Sequence, residues 1–502
     1  VRRATAWGLA LALLPAAAHA QWQRWSTGTS SIYLQGVISP DGVHVFASGS
    51  DITTSGMLPS IRVRAQASED NGRSFHEISG AMAAHAGLDS AGGSFFLDAR
   101  TGWVASGRRV WHTEDAGAAW TSADAGFMAL ALRFFDAQNG VAAGESGTIK
   151  RTYDGGRTWN AVPSGTQIDL REMFWLDAKR GWSTGYTEDR DTWVVLQGVL
   201  LSTNDGGATW TEGASFAPGV GPGPVFVLCD GTTGFVAAHR TPEEDRYEAV
   251  LYKTLDGGRT LQEIPLPLAV GKLSVMGFTG DVQASIVRAM YWEDAQRGHL
   301  GGMAYLARES RSQSGGSSSA TITTTYWAVV DYLTSDGGAT WQKTDLGTRT
   351  ASLTTPPAHD NYIGAGLLVD LYNGWMVGDT QSVWGYGRTC AADAECGAGY
   401  GCWRTRCVRQ GGFGCLQPCP PGQERVGGEC RTPGSGGSTG SGGTDGSTDE
   451  QEQLKFVGID CGCTGGAAGA PAALSLLVLA LRRRGRRTCE RPEAPPSGRS
   501  SR

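Results

Sequence analysis

Apolar positions between residues 22 and 388 fall in short, strand-length runs separated by clusters of Gly, Asp, Asn, Ser and Thr. Such clusters read as tight turns, and the runs between them as strands. Two kinds of turn recur. The first has the form D-A-x-x-G-W-x-x-G, as in DARTGWVASG at 98–107, with related segments starting at Asp136, Asp177, Asp230, Asp294 and Asp370. Aromatic residues precede it, such as Phe134-Phe135 and Phe174-Trp175. The second is SEDNGRSF at 68–75, TEDAGAAW at 113–120, TYDGGRTW at 152–159, TNDGGATW at 203–210, TLDGGRTL at 254–261 and TSDGGATW at 334–341. These are Asp boxes, with aspartates Asp70, Asp115, Asp154, Asp205, Asp256 and Asp336. Each unit therefore reads as strand, DAxxG turn, strand, loop, strand, DGG turn, strand. That is a four-stranded antiparallel meander, the blade of a β-propeller.

The repeat also predicts how the ring closes. The unit around Asp370 has no box after it, and the chain near its start reads WQRWSTGT, which aligns with WNAVPSGT after the third box. Residues 22–27 thus read as the missing last strand. The expected fold is all-β, a seven-bladed β-propeller of four-stranded antiparallel blades closed by the N-terminal strand and followed by a small disulfide-rich module. The 80-residue gap between Asp256 and Asp336 contains one DAxxG element and reads as an insertion within a blade.

Composition agrees. Gly (74 residues) and Pro (20) make up about a fifth of the chain, which disfavours a helical bundle. The formal net charge of −6 offers no basic excess to neutralise a phosphate backbone, so general nucleic-acid binding is not expected. Trp occurs 17 times, and the repeat assigns Trp103, Trp120, Trp159, Trp182, Trp210, Trp341 and Trp375 to the core. The box aspartates have a structural reading, since a carboxylate can accept N–H bonds within its own turn and Gly permits positive φ. A calcium loop would need more oxygen ligands and a closing Glu. No cofactor or metal motif is present.

In this topology both turns lie on one face, and the loops between second and third strands on the other. Those loops lengthen in three adjacent units, 186–197, 239–248 and 304–325, and functional loops on a rigid scaffold are common. The candidate partner-binding residues are Tyr186, Arg190 and Trp193; His239, Arg240, Arg246 and Tyr247; and Arg171 and Arg288, each six residues before a DAxxG aspartate. Aromatic and Arg side chains are frequent interface anchors.

The pairing of FxDAxxGWxxG with TxDGGxTW over residues 22–388 resembles the photosystem II assembly-factor propellers and their non-photosynthetic bacterial relatives. More distantly it is similar to sortilin-type propellers, xyloglucanases and sialidases. The resemblance implies a seven-bladed, non-enzymatic binding or assembly module; a protein or surface-glycan partner and a monomeric state are expected. A glycoside hydrolase, sialidase-like or acting on β-glucans, is the rival class. Its carboxylates would come from Asp169, Glu172 and Asp177, and the stretch Ile61-Arg62-Val63-Arg64 only weakly imitates a sialidase arginine element.

The flanks read as address labels. Residues 1–20 have a basic start, an apolar run and Ala18-His19-Ala20, the pattern of a secretory signal peptide. After the propeller of 21–388, residues 389–431 carry Cys390, Cys396, Cys402, Cys407, Cys415, Cys419 and Cys430. In an exported chain this density reads as a disulfide-stapled module. Seven is odd, so one thiol pairs with Cys229, pairs with Cys461 or Cys463, or stays free. Residues 432–460 form a Gly/Ser-rich acidic linker. Residues 461–487 join Cys461 and Cys463 to a 15-residue apolar run and an Arg cluster, and 488–502 read as a disordered tail. The segment 461–487 resembles the MYXO-CTERM sorting signal of myxobacterial surface proteins. That resemblance implies processing near Cys461 or Cys463 and attachment to the surface or outer membrane of a Gram-negative cell.

Overall fold

The computed structural model describes residues 21–26, 32–40, 43–53, 60–84, 91–189, 192, 194–242, 248–267, 272–275, 278–281, 284–315, 318–353, 366–368, 373–377, 382–387, 390, 400–403, 406–409, 424–426 and 429–431. Residues 1–20, 432–460 and 461–502, read above as signal peptide, linker, sorting signal and tail, fall outside the described residues, as do Cys396, Cys415 and Cys419; Cys402, Cys407 and Cys430 lie in two short hairpins, Tyr400–Trp403 with Arg406–Arg409 and Glu424–Val426 with Glu429–Arg431.

Seven four-stranded antiparallel sheets lie among the described residues. We number them by their first strands: Ile32–Ile38, Ala91–Phe96, Ala129–Phe134, Leu170–Trp175, Val220–Val227, Ala284–Trp292 and Gly366–Leu368. The first strand of each sheet lies beside that of the next, and the seventh lies beside the first, the arrangement of a β-propeller. In the seventh sheet the outer strand is Gln21–Ser26, which pairs with Ser382–Gly387 in the register Gln21↔Gly387 to Ser26↔Ser382. Between the first two strands of the first sheet the sequence of 39–44, SPDGVH, lacks the DAxxG pattern.

The two turn motifs hold each sheet at one rim. In the DAxxG turn the backbone N–H groups two and three residues on both donate to the Asp Oδ1, as from Lys179 and Arg180 to Asp177 at 2.8 and 2.7 Å. Asp98, Asp136, Asp230 and Asp294 accept the same pair. In all six boxes the leading Ser or Thr hydroxyl donates to the Asp Oδ1 at 2.8 Å. The N–H four residues after the Asp donates to the same oxygen. The two turns are then tied together: Gly155, Gly206, Gly257 and Gly337 donate to the carbonyls of Gln138, Lys179, Thr232 and Gln296. This position has positive φ, which explains Gly there; Asn71 and Ala116 hold it at φ 66° and 62° in the two divergent boxes.

These bonds favour the ionised carboxylate. The hydroxyls of Thr158, Thr209 and Thr340 lead in pulling Asp154, Asp205 and Asp336 down to about 2, and the Thr260 backbone N–H does the same for Asp256. An unfolded Asp titrates near 3.9, so the stabilisation is complete above that pH and is lost as pH falls from about 4 to about 2. Thermal melting is expected to drop across that window, and less so in an Asp154→Asn/Asp205→Asn variant. A wild-type melting temperature that stays level from pH 5 to pH 2.5 would refute the assignment.

The core lies between sheets. Phe46 stacks on Phe96 at 3.7 Å, Trp103 on Phe134 at 3.6 Å and Phe235 on Trp292 at 3.4 Å, each pair joining one sheet's second strand to the next sheet's first. Glycine before the motif Trp is a packing requirement: a Cβ on Gly181 would stand 2.5 Å from the Trp175 ring. Trp103, Trp120 and Trp182 are buried as expected, but Trp159, Trp210 and Trp341 are only half-buried; the side chain of Trp375 lies outside the described residues. They follow the boxes at the outer strand, where they meet Phe134, Trp175 and Trp292 edge-on.

One expected loop is not a loop. In residues 304–325 the strands Gly298–Gly315 and Ser318–Thr334 continue as a paired hairpin to Gly315↔Ser318. The β-branched run Thr321–Thr325 suits extended pairing, which a Ser/Gly composition alone concealed. The interval before it adds a two-stranded hairpin, Lys272–Val275 with Phe278–Asp281, so the long gap holds an insertion and no further four-stranded sheet among the described residues.

Candidate functional site

Three of the nine candidate side chains meet at the rim opposite the Asp turns, and a fourth, Arg288, lies within electrostatic reach of them. Arg171 stands near the start of the fourth sheet's first strand, its guanidinium 4.2 Å from the Tyr186 ring centroid. Its Nη2 lies 3.3 Å from Glu188 Oε1 and 3.8 Å from Asp169 Oδ2. Tyr186 meets the His239 ring edge-on at 4.9 Å, joining the fourth sheet to the fifth. Arg288, from the sixth sheet, acts electrostatically on Glu172, Tyr186 and His239.

A backbone irregularity places both arginines. In the fourth sheet Leu170 pairs with Gly185 and Glu172 with Thr184, so Arg171 is an extra residue in the ladder. In the sixth, Val287 pairs with Gly302 and Ala289 with Gly301, leaving Arg288 extra. Bulges re-aim side chains. At the fourth sheet the bulge brings Arg171 and Glu172, neighbours that a regular strand would send to opposite faces, to bear on the same Tyr186. The first, third and fifth sheets carry irregularities at comparable places, at Gln35, Leu130 and Gly223-Pro224, without a charged side chain.

The electrostatics follow from crowding. Burial pushes the Glu172 carboxyl up, partly countered by Arg288. Burial also raises Tyr186, against the pull of Arg171 and Arg288. His239 is lowered to about 3 by burial and then by the two arginines, so its ring is neutral at physiological pH. Arg171 is raised despite its burial, because Tyr186, Glu188 and Asp169 favour the cation. The result is a half-buried patch with two fixed cations, an aromatic ring, a neutral imidazole and three carboxyls.

The other candidates divide. Arg240 points toward the outer strands of the fifth sheet, donating to Glu263 Oε2 at 2.9 Å, and does not join the cluster. Arg190, Trp193, Arg246 and Tyr247 lie outside the described residues. Arg64, from the weak sialidase-like stretch, forms an ion pair with Glu77 in the first sheet. The six box aspartates are spread round the opposite rim in their own turns. Glu188 was not singled out from the sequence; its signal was spacing, since it stands two residues beyond Tyr186 on the same strand face.

No family model matches the chain, and no curated protein matches it in sequence. Among solved structures the chain is similar to YCF48 from Cyanidioschyzon merolae, at 12% identity over 73% of this chain and 98% of that one, with a TM-score of 0.46. It is similar to YCF48 bound to D1 peptide at 13% identity over 73% and 96%, also with a TM-score of 0.46. It is also similar to the GH74 xyloglucanase from Xanthomonas campestris, at 11% identity over 73% and 75%, with a TM-score of 0.37.

Proposed function

We propose that this chain is an exported binding protein, a closed seven-bladed propeller that captures a protein partner at the rim opposite its Asp turns. The observation that supports it is the convergence of Arg171, Tyr186, His239 and Arg288 from three sheets. Arg and Tyr are the side chains that most often anchor protein interfaces. Here the arginines are charged at any working pH and Arg171 is held in place by Glu188 and Asp169, so little side-chain freedom remains to be lost on binding. In this reading the Asp boxes are structural, residues 389–431 are a disulfide-stapled stalk, and the 461–487 tail attaches the protein to the cell surface after removal of residues 1–20.

Two exposed leucines on opposite rims provide the test. Leu196 is the second residue of the third strand of the fourth sheet, on the cluster's rim, and Leu255 sits in an Asp box on the other. A photo-crosslinking residue at position 196 is expected to capture a discrete partner on intact cells, and one at 255 is not. Capture from 255 alone would overturn the site.

One observation favours a glycoside hydrolase as the second reading. Burial raises the carboxyl of Glu172, the direction that a general acid of such an enzyme needs. Turnover of sialosides or β-glucans that disappears in a Glu172→Gln variant would select this reading over the first.

A further inference from the structure

Cys229 is disulfide-bonded, and so is Cys390. Of the chain's 11 cysteines, every one except Cys229 lies at residue 390 or beyond. The bond at Cys229 therefore leaves the sheets for the C-terminal part of the chain. Cys229 itself is exposed on the Asp-turn rim, directly before Asp230. Its turn is rigid: Thr232 and Thr233 donate to Asp230, Leu228 donates to the Thr233 carbonyl, and Gly257 ties the turn to the neighbouring box.

The chain also leaves the propeller on that rim. In the seventh sheet Gly374 pairs with Tyr386 and Asn373 with Gly387. In the third, fourth, fifth and sixth sheets the glycine equivalent to Gly374 pairs with the Thr that opens the Asp box, so Gly387 ends its strand where a box would otherwise follow. Cys390 comes three residues later and is 6% exposed, so the chain stays against the protein there. The seven cysteines from Cys390 to Cys430 are odd in number, and Cys229 makes them even.

We infer that Cys229 is bonded to one of the seven cysteines between 390 and 430, so that the Cys-rich module is strapped to the Asp-turn rim across the sixth sheet. The rim becomes a base with two attachments, the backbone after Gly387 and the disulfide at Cys229. The cluster around Arg171 stands at the other end of the strands, about 20 Å away for a six-residue strand, and is left open. Only this last consequence rests on the proposed binding function; the bond does not. Its formation takes one proton and one electron from each thiol, both electrons passing to a disulfide oxidant by thiol–disulfide exchange.

The test uses the whole protein produced through an oxidising compartment, alkylated without reduction, digested and analysed by mass spectrometry. The expected result is a peptide containing Cys229 joined to one from residues 390–430. Cys229 recovered as an alkylated thiol, or joined to Cys461, Cys463 or Cys489, would overturn the inference. A Cys229→Ser variant is expected to expose one new thiol per chain and to speed proteolysis within 390–430 at least tenfold while the sheets stay folded. Unchanged thiol content would count against the bond. Partner capture from position 196 is measured separately, so the bond and the binding site can fail independently.

Discussion

Replacing Trp103 by alanine is expected to lower the unfolding free energy by about 3–5 kcal/mol, the cost typical of emptying a large buried aromatic site. Trp103 has no solvent exposure. Its ring lies on Phe134 of the next sheet at 3.6 Å and on His112 of its own sheet at 4.7 Å. Its Nε1 donates to the Gly155 carbonyl at 2.9 Å, inside the box of the third sheet. One side chain thus joins the core of one sheet to the turn of its neighbour. Trp103→Phe keeps part of the ring contact and loses the bond to Gly155, so it should cost less than Trp103→Ala. Chemical denaturation of the two variants checks this order. Equal stability of Trp103→Ala and wild type would mean that the sheets do not depend on that contact.

The second large effect is on binding. Once a partner is in hand, Arg171→Ala is expected to weaken its capture by about 30-fold, close to ~2 kcal/mol and the usual threshold for an interface anchor. Arg288→Ala should act in the same direction, and the double variant should lose less than the product of the two effects, because both arginines act on Tyr186 and His239. Arg259→Ala, on the Asp-turn rim, should leave affinity unchanged. Titration of the partner against each folded variant measures all four. Affinity insensitive to both Arg171 and Arg288 would remove the cluster from the interface.

Much of this architecture could be read from local chemistry, and the reason is physical. The motif residues are needed where they stand: Gly181 because Trp175 covers it, Asp177 because two N–H groups require an acceptor, Gly206 because its φ is positive. Such constraints recur in each sheet and so leave a period in the sequence. The first sheet's turn at 39–44 departs from that period yet makes an equivalent tie, from the Asn71 N–H to the Val43 carbonyl. The site was legible only in part. The position six residues before the turn aspartate marked Arg171 and Arg288, but no pattern announced the bulges that turn them. Glu172 and Glu188 gain their importance from neighbours on other strands. Arg240, adjacent to His239, was separated from it by strand alternation and held by Glu263.

The pairing of Gln21–Ser26 with Ser382–Gly387 has a kinetic consequence. Six sheets are built from consecutive hairpins and can form as the chain emerges. The seventh cannot be completed until its last segment has arrived to meet the first. Its closing contact has the longest sequence separation in the sheets, the kind that is slowest to form. A chain emerging from its N-terminus would therefore keep an unsealed edge until residues 382–387 had followed, and removing residues 21–26 would reopen the seventh sheet at the same seam.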